Sequence, residues 1–94
     1  MNPLPRYRRL SMATFVCMHG AGGWGAYWQF VGQELQRSGH EVVAMDLPCD
    51  QEVGLSAYVD AAVDAIGDRR DDIVLVAQSL SGFVAPLVCE RVPV

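Results

Sequence analysis

Not one lysine occurs among these 94 residues: all seven basic side chains are arginines, and Arg6, Arg8 and Arg9 crowd the first positions. From residue 12 onward four arginines face 11 acidic residues, a balance of −7. A chain so short of positive charge is a poor partner for nucleic acid or for an anionic membrane surface. Long apolar runs are missing too, since no stretch approaches the ~18 uninterrupted apolar residues of a membrane span. The apolar run after Arg8 and Arg9 ends at His19, at the short limit for the core of a secretory signal. Cys17, Cys49 and Cys89 are few, odd in number and far apart. They form neither a metal-binding spacing nor a disulfide framework, and they read as reduced thiols of a cytoplasmic protein. Histidine is scarcer still, with only His19 and His40.

What is there describes one globular domain. Apolar residues make up 51% and charged residues 19% of the chain, a balance that packs a core rather than staying disordered. A domain of this size buries only about 60–65% of its unfolded surface, so the core is thin. Residues 1–11 read as a basic, disordered tail, with Met12 as an alternative start and 12–94 as the folded portion.

Three apolar runs alternate with helical patterns. "ATFVCMH" (13–19), "EVVAMDL" (41–47) and "DIVLVAQ" (72–78) have the β-branched, continuous character of buried parallel strands. Between the first two, Trp28, Val31 and Leu35 recur at helical spacing, and Gly39 supplies a stop. Between the last two, Val59, Ala62, Val63 and Ile66 form a helix face, with Ser56 as N-cap and Gly67 as stop. Asp60, Asp64 and Asp68 fall on its solvated side. A last helix is expected from about Leu80 to Arg91, with Pro86 removing a backbone donor and kinking it. The order β-α-β-α-β-α implies a parallel, three-layer α/β/α sheet with right-handed crossovers.

The loop "HGAGGWG" (19–25) carries two signals. Gly20, Gly22 and Gly25 spell the G-x-G-x-x-G of a dinucleotide loop, and Asp46 ends the next strand where a ribose-binding acid belongs. His19-Gly20 also spells the pair that precedes an oxyanion hole. The third strand decides between them. It runs into "AQSLSG" (77–82), a serine on a tight strand-to-helix turn. Such a turn needs small residues two before and two after the serine. Ala77 and Ser81 satisfy this for Ser79, whereas Phe83 excludes Ser81. The competing reading of Ser79 is a helix N-cap. Trp24, Tyr27 and Trp28 also crowd the place where a pyrophosphate would sit. The two tryptophans read either as an aromatic wall beside the loop or as simple helix packing.

On "FVCMHGAGGWGAYW", "GHEVVAMDLP" and "IVLVAQSLSG" the chain resembles the N-terminal part of an α/β-hydrolase fold protein, over residues 13–94. It is nearest in look to the small esterase, methylesterase and hydroxynitrile-lyase branch. The resemblance implies Ser79 as nucleophile and the backbone N–H groups of Leu80 and Ala21 as the oxyanion hole. It implies His19, Gly20 and Gly22 as supporting loop residues, with His19 shaping the loop rather than acting as base. It also implies a structural role for Asp46, a small-molecule substrate, and neither cofactor nor metal.

The family order is serine, then acid, then histidine. Fifteen residues follow Ser79 and none is a histidine. Glu90 lies about 16 Å along the helix, and His40 about 17–20 Å away at the opposite edge. A Ser79–His19 dyad would have no orienting carboxylate. The expectation is therefore a truncated α/β-hydrolase that ends after the elbow helix and is inactive or barely active alone. Two alternatives stand beside it. One is a non-catalytic fragment or module that completes its sheet by association, including self-association, at an open edge. The other is a dinucleotide-binding α/β domain.

Overall fold

The computed structural model describes residues 12–49 and 52–94. The tail expected over 1–11 lies outside the described residues. The chain forms β1 (Thr14–Met18), a 3₁₀ turn (Gly25–Trp28), α1 (Gln29–Arg37), β2 (Glu41–Ala44), α2 (Leu55–Ile66), β3 (Ile73–Ala77) and α3 (Ser81–Cys89). The strands form one parallel sheet in the order β2-β1-β3. The central β1 is the most apolar in its setting: Val16, Cys17 and Met18 are fully buried. A strand covered on both faces needs apolar residues at successive positions, not alternate ones.

The connection to β2 and the connection to β3 cross the sheet in opposite directions. With right-handed crossovers, α1 and α2 therefore lie on opposite faces. On one face α2 and α3 pack together over Val16 and Met18, with Tyr58, Val59, Ala62, Ile66, Val84 and Val88 filling the core. On the other face α1 rests against β2. This is the three-layer α/β arrangement expected from the element order. Among the described residues β3 pairs only with β1.

Several local expectations change. The helix after β1 opens with a 3₁₀ turn, and its contact with the sheet is Gly32 rather than Val31, which is exposed. A Cβ at Gly32 would stand 3.4 Å from Val42 Cγ1, so glycine lets helix and strand approach closely. The N-cap of α2 is Gly54, not Ser56. Gly54 is extended, its carbonyl accepts the Ala57 N–H at 3.2 Å, and Ser56 falls within the first turn. β2 ends at Ala44 instead of Leu47, because the Leu47 N–H turns away to a side chain, His19 Nε2 at 2.9 Å. α3 runs through Pro86 to Cys89. Of the expected face of α2, Val59, Ala62 and Ile66 are buried and Val63 is half-buried, and Gly67, at φ +64°, ends the helix with its N–H on the Val63 carbonyl. No helix among the described residues is long and apolar enough to cross a membrane.

Candidate functional site

Because β1 and β3 are parallel neighbours, the loops that follow them emerge side by side. Met18 pairs with Ala77, and the Gln78 N–H donates to the Met18 carbonyl at 3.1 Å. This brings His19-Gly20 against Gln78-Ser79. The approach is tight: a Cβ on Gly20 would lie 3.1 Å from Ser79 Cβ. A β-turn follows, closed by the Gly23 N–H on the Gly20 carbonyl at 3.1 Å, with Gly22 at φ +79°. That third turn position needs positive φ, which glycine adopts freely.

Ser79 is exposed and has φ +55°, a conformation that costs a residue with a Cβ about 1–2 kcal/mol. Two hydrogen bonds hold it there. The Ser81 N–H donates to the Gln78 carbonyl at 3.1 Å, and the Gly82 N–H to the Ser79 carbonyl at 2.8 Å. The chain then enters α3 directly. Ser79 is not the helix cap; Leu80 holds that position and no side chain caps the helix. Ser81 is fully buried, and its hydroxyl donates to the His19 carbonyl. That bond ties the start of α3 to the loop after β1.

His19 is buried, and both ring nitrogens are engaged. Nδ1 lies 2.8 Å from the Gly20 carbonyl, and Nε2 accepts the Leu47 N–H at 2.9 Å. One tautomer, protonated on Nδ1, satisfies both. Neither nitrogen is left for Ser79. His40 lies at the other end of the sheet, accepting the Ala13 N–H at 3.0 Å and packing edge-on against Phe15. Glu90 is exposed just past α3. Among the described residues the Ala21 and Leu80 N–H groups donate to no protein acceptor. They stand on the two loops that meet at Ser79.

The dinucleotide geometry does not form. Asp46 Oδ1 accepts the Gly25 N–H at 2.6 Å, and Ala44 O lies 3.1 Å from where a Gly25 Cβ would be. The acid that would hold a ribose in the dinucleotide alternative instead accepts from the amide that would face a pyrophosphate. Asp60, read as solvated, is exposed and accepts from Arg91 Nη1 at 2.7 Å. Cys17, Cys49 and Cys89 are free, and burial raises the Cys17 thiol above its ordinary pKa.

The two tryptophans separate. Trp28 is 9% exposed and meets the Tyr27 ring edge-on, whereas Trp24 is 61% exposed. Trp24 and Tyr27 line a hollow of about 420 Å³ with Gly20, Ala21, Gln78 and Ser79. Three contacts here have no sequence signature: Ser81 to His19, Gln78 to Tyr27, and Cys49 Sγ at 3.9 Å from the Gly20 carbonyl. Ser81 came closest to being legible, because the turn demanded a small residue there. Its hydroxyl bond depends on how close α3 comes to the other loop.

No curated protein and no solved structure matches the chain. The sequence model of the alpha/beta hydrolase family matches residues 15–94, from the second residue of β1 to beyond α3. With a parallel sheet in the order β2-β1-β3 and a serine turn closing its third strand, the chain belongs to the alpha/beta hydrolase family.

Proposed function

We propose that this chain carries the nucleophile and oxyanion hole of a serine hydrolase acting on a small ester. One observation supports the reading above all others: an exposed serine held at φ +55° on the turn after β3, directly against the backbone of Gly20. In this reading Ser79 Oγ attacks the ester carbonyl carbon. The new Oγ–C bond forms as the carbonyl π pair moves to oxygen. The Ala21 and Leu80 N–H groups hold that oxyanion, and fixed backbone donors need no reorganisation as the charge develops. Collapse of the intermediate expels the alkoxide and leaves an acyl-enzyme for water to cleave.

The Ser79 proton must pass to a base other than the two imidazoles of this chain. His19 spends both nitrogens on the loop, and His40 sits at the far end of the sheet. The loop "HGAGGWGAYW" supports the esterase, methylesterase and hydroxynitrile-lyase branch as the nearest setting for this chemistry.

The test is covalent labelling by a fluorophosphonate with imidazole added as an external base. Losing base and acid costs intact serine enzymes about 10⁴–10⁶ in rate, so the reaction is slow. Oγ–P forms, P–F breaks, and imidazole takes the proton. Peptide mass spectrometry is expected to place the adduct on Ser79, to find its rate rising with imidazole, and to find none in Ser79→Ala. An adduct on another serine, or no adduct at saturating imidazole, removes the reading.

A further inference from the structure

The hollow over Ser79 has a definite chemical character. Its volume, about 420 Å³, falls in the lower part of the about 300–1,000 Å³ range of small-molecule sites. None of the side chains lining it is charged. Two large aromatic side chains stand open on its wall: Trp24 at 61% and Tyr27 at 56% exposure. Leaving that much ring surface in water forgoes burial that the neighbouring Trp28 does obtain. Tyr27 is also anchored. Gln78 Nε2 donates to its hydroxyl at 2.8 Å, joining the rim to the residue before Ser79. A ring fixed in advance loses less entropy when a ligand stacks on it.

The adjoining hollow is different. This second hollow, of about 330 Å³, shares the Trp24 indole but holds the Asp46 carboxylate and the Cys49 thiol. Trp24 thus lines both an uncharged hollow over Ser79 and one with a carboxylate on its wall. An anionic substrate group would meet no counter-charge in the first and a carboxylate in the second.

We propose that Trp24 and Tyr27 form the recognition wall for the aryl group of an uncharged aryl ester, with Trp24 as the specificity-determining residue. This rests on Ser79 being the nucleophile, since it names the substrate of that same site. Aromatic pairs gain from offset or edge-to-face geometry beyond the area they bury. A saturated ring of equal carbon count gains only the burial.

The experiment uses the Ser79→Ala chain, which binds without turnover, titrated by calorimetry with N-phenylacetamide and with N-cyclohexylacetamide. The phenyl amide is expected to bind about tenfold more tightly. In Ser79→Ala/Trp24→Ala the preference is expected to fall to about twofold or less, and in Ser79→Ala/Trp24→Phe to persist. Equal binding of the two amides, no binding of either, or a preference that survives Trp24→Ala overturns the proposal. The labelling experiment is separate. A phenyl preference without a Ser79 adduct overturns the serine reading, and with it the aryl ester as substrate, and leaves only an aryl-binding hollow; an adduct without a phenyl preference overturns this proposal alone.

Discussion

Asp72 and Ser79 flank the same strand, and both hold a backbone that residues with a Cβ avoid, at φ +51° and +55°. Their surroundings differ. At the Asp72 end polar side chains close on one another. The Thr14 N–H reaches the Asp72 carbonyl at 2.8 Å, and Thr14 Oγ1 and the Arg69 guanidinium both donate to Glu41. At the Ser79 end the polar groups are backbone amides, the Ser79 and Tyr27 hydroxyls and the Gln78 amide, beside an open hollow with no charged lining. Aspartate is among the residues that tolerate the left-handed region, and serine less so. Strain therefore does not mark a site by itself. It does so where an unsuited residue is held beside space that nothing fills.

The comparison breaks first at the histidines. His19→Ala strands the buried Leu47 N–H and empties a packed ring, so a loss of about 3 kcal/mol or more is expected. His40→Ala, at the closed end, gives up one half-buried hydrogen bond and should cost about 1 kcal/mol. Urea denaturation of the two variants measures both. Equal losses would mean that the loop after β1 is no more constrained than the opposite end.

The next effect is steric. Gly20→Ala places a methyl 3.1 Å from Ser79 Cβ, where a shift of either loop is required. Overpacking of this kind costs about 1–3 kcal/mol. The same experiment at Gly54, where an added Cβ meets nothing within 4 Å, should stay within about 0.5 kcal/mol. The Gly20 variant should also slow fluorophosphonate labelling, since the Ser79 turn must move to admit the methyl. Labelling at the native rate would show that the contact between the two loops does not position the serine.

Much of this contrast was legible in the sequence. The apolar runs fixed β1 and β3 to within a residue at each end, because buried parallel strands leave a local signal. The Ser79 turn was legible because its sterics demand small neighbours at defined offsets. β2 was read three residues too long because its end is set by a distant partner, the His19 ring, and not by its own sequence. The same reason hid Gly32: a helix face looks apolar at Val31 whether or not the backbone comes close enough to need a glycine. The roles of Trp24 and Trp28 were indistinguishable by spacing. Only the 3₁₀ turn that starts before α1 rotates one inward and leaves the other over the hollow.

Glycine substitution tests the strain directly. Ser79→Gly relieves a left-handed residue, worth about 1–2 kcal/mol, but gives unfolded chains more freedom, worth about 0.5–1 kcal/mol. A net gain of about 0.5–1 kcal/mol in stability is expected, together with complete loss of labelling. Asp72→Gly relieves less, because aspartate already tolerates the conformation, and should be neutral within about 0.5 kcal/mol. A larger gain at Asp72 than at Ser79 would reverse the assignment of strain to the serine turn.

The smallest effect belongs to the closed end and is visible only in acid. The hydrogen bonds from Arg69, and then from Thr14, lower the Glu41 carboxyl from 4.5 to about 2. Above about pH 4.5 the group is charged in both folded and unfolded chains, and its contribution to stability is fully present. Between there and about pH 2 the unfolded chain binds a proton that the folded chain refuses, so stability falls as pH falls. The pair is exposed, and salt weakens it. Arg69→Ala removes the larger cause, so its stability curve between pH 4.5 and about 2 should be flatter than that of the parent, while the two curves run parallel above pH 5. Ser79→Ala should leave that acid slope unchanged, since no charged side chain lines the hollow over Ser79. If it flattened the slope as Arg69→Ala does, the two ends of β3 would be coupled through the strand, and the contrast drawn between them would fail.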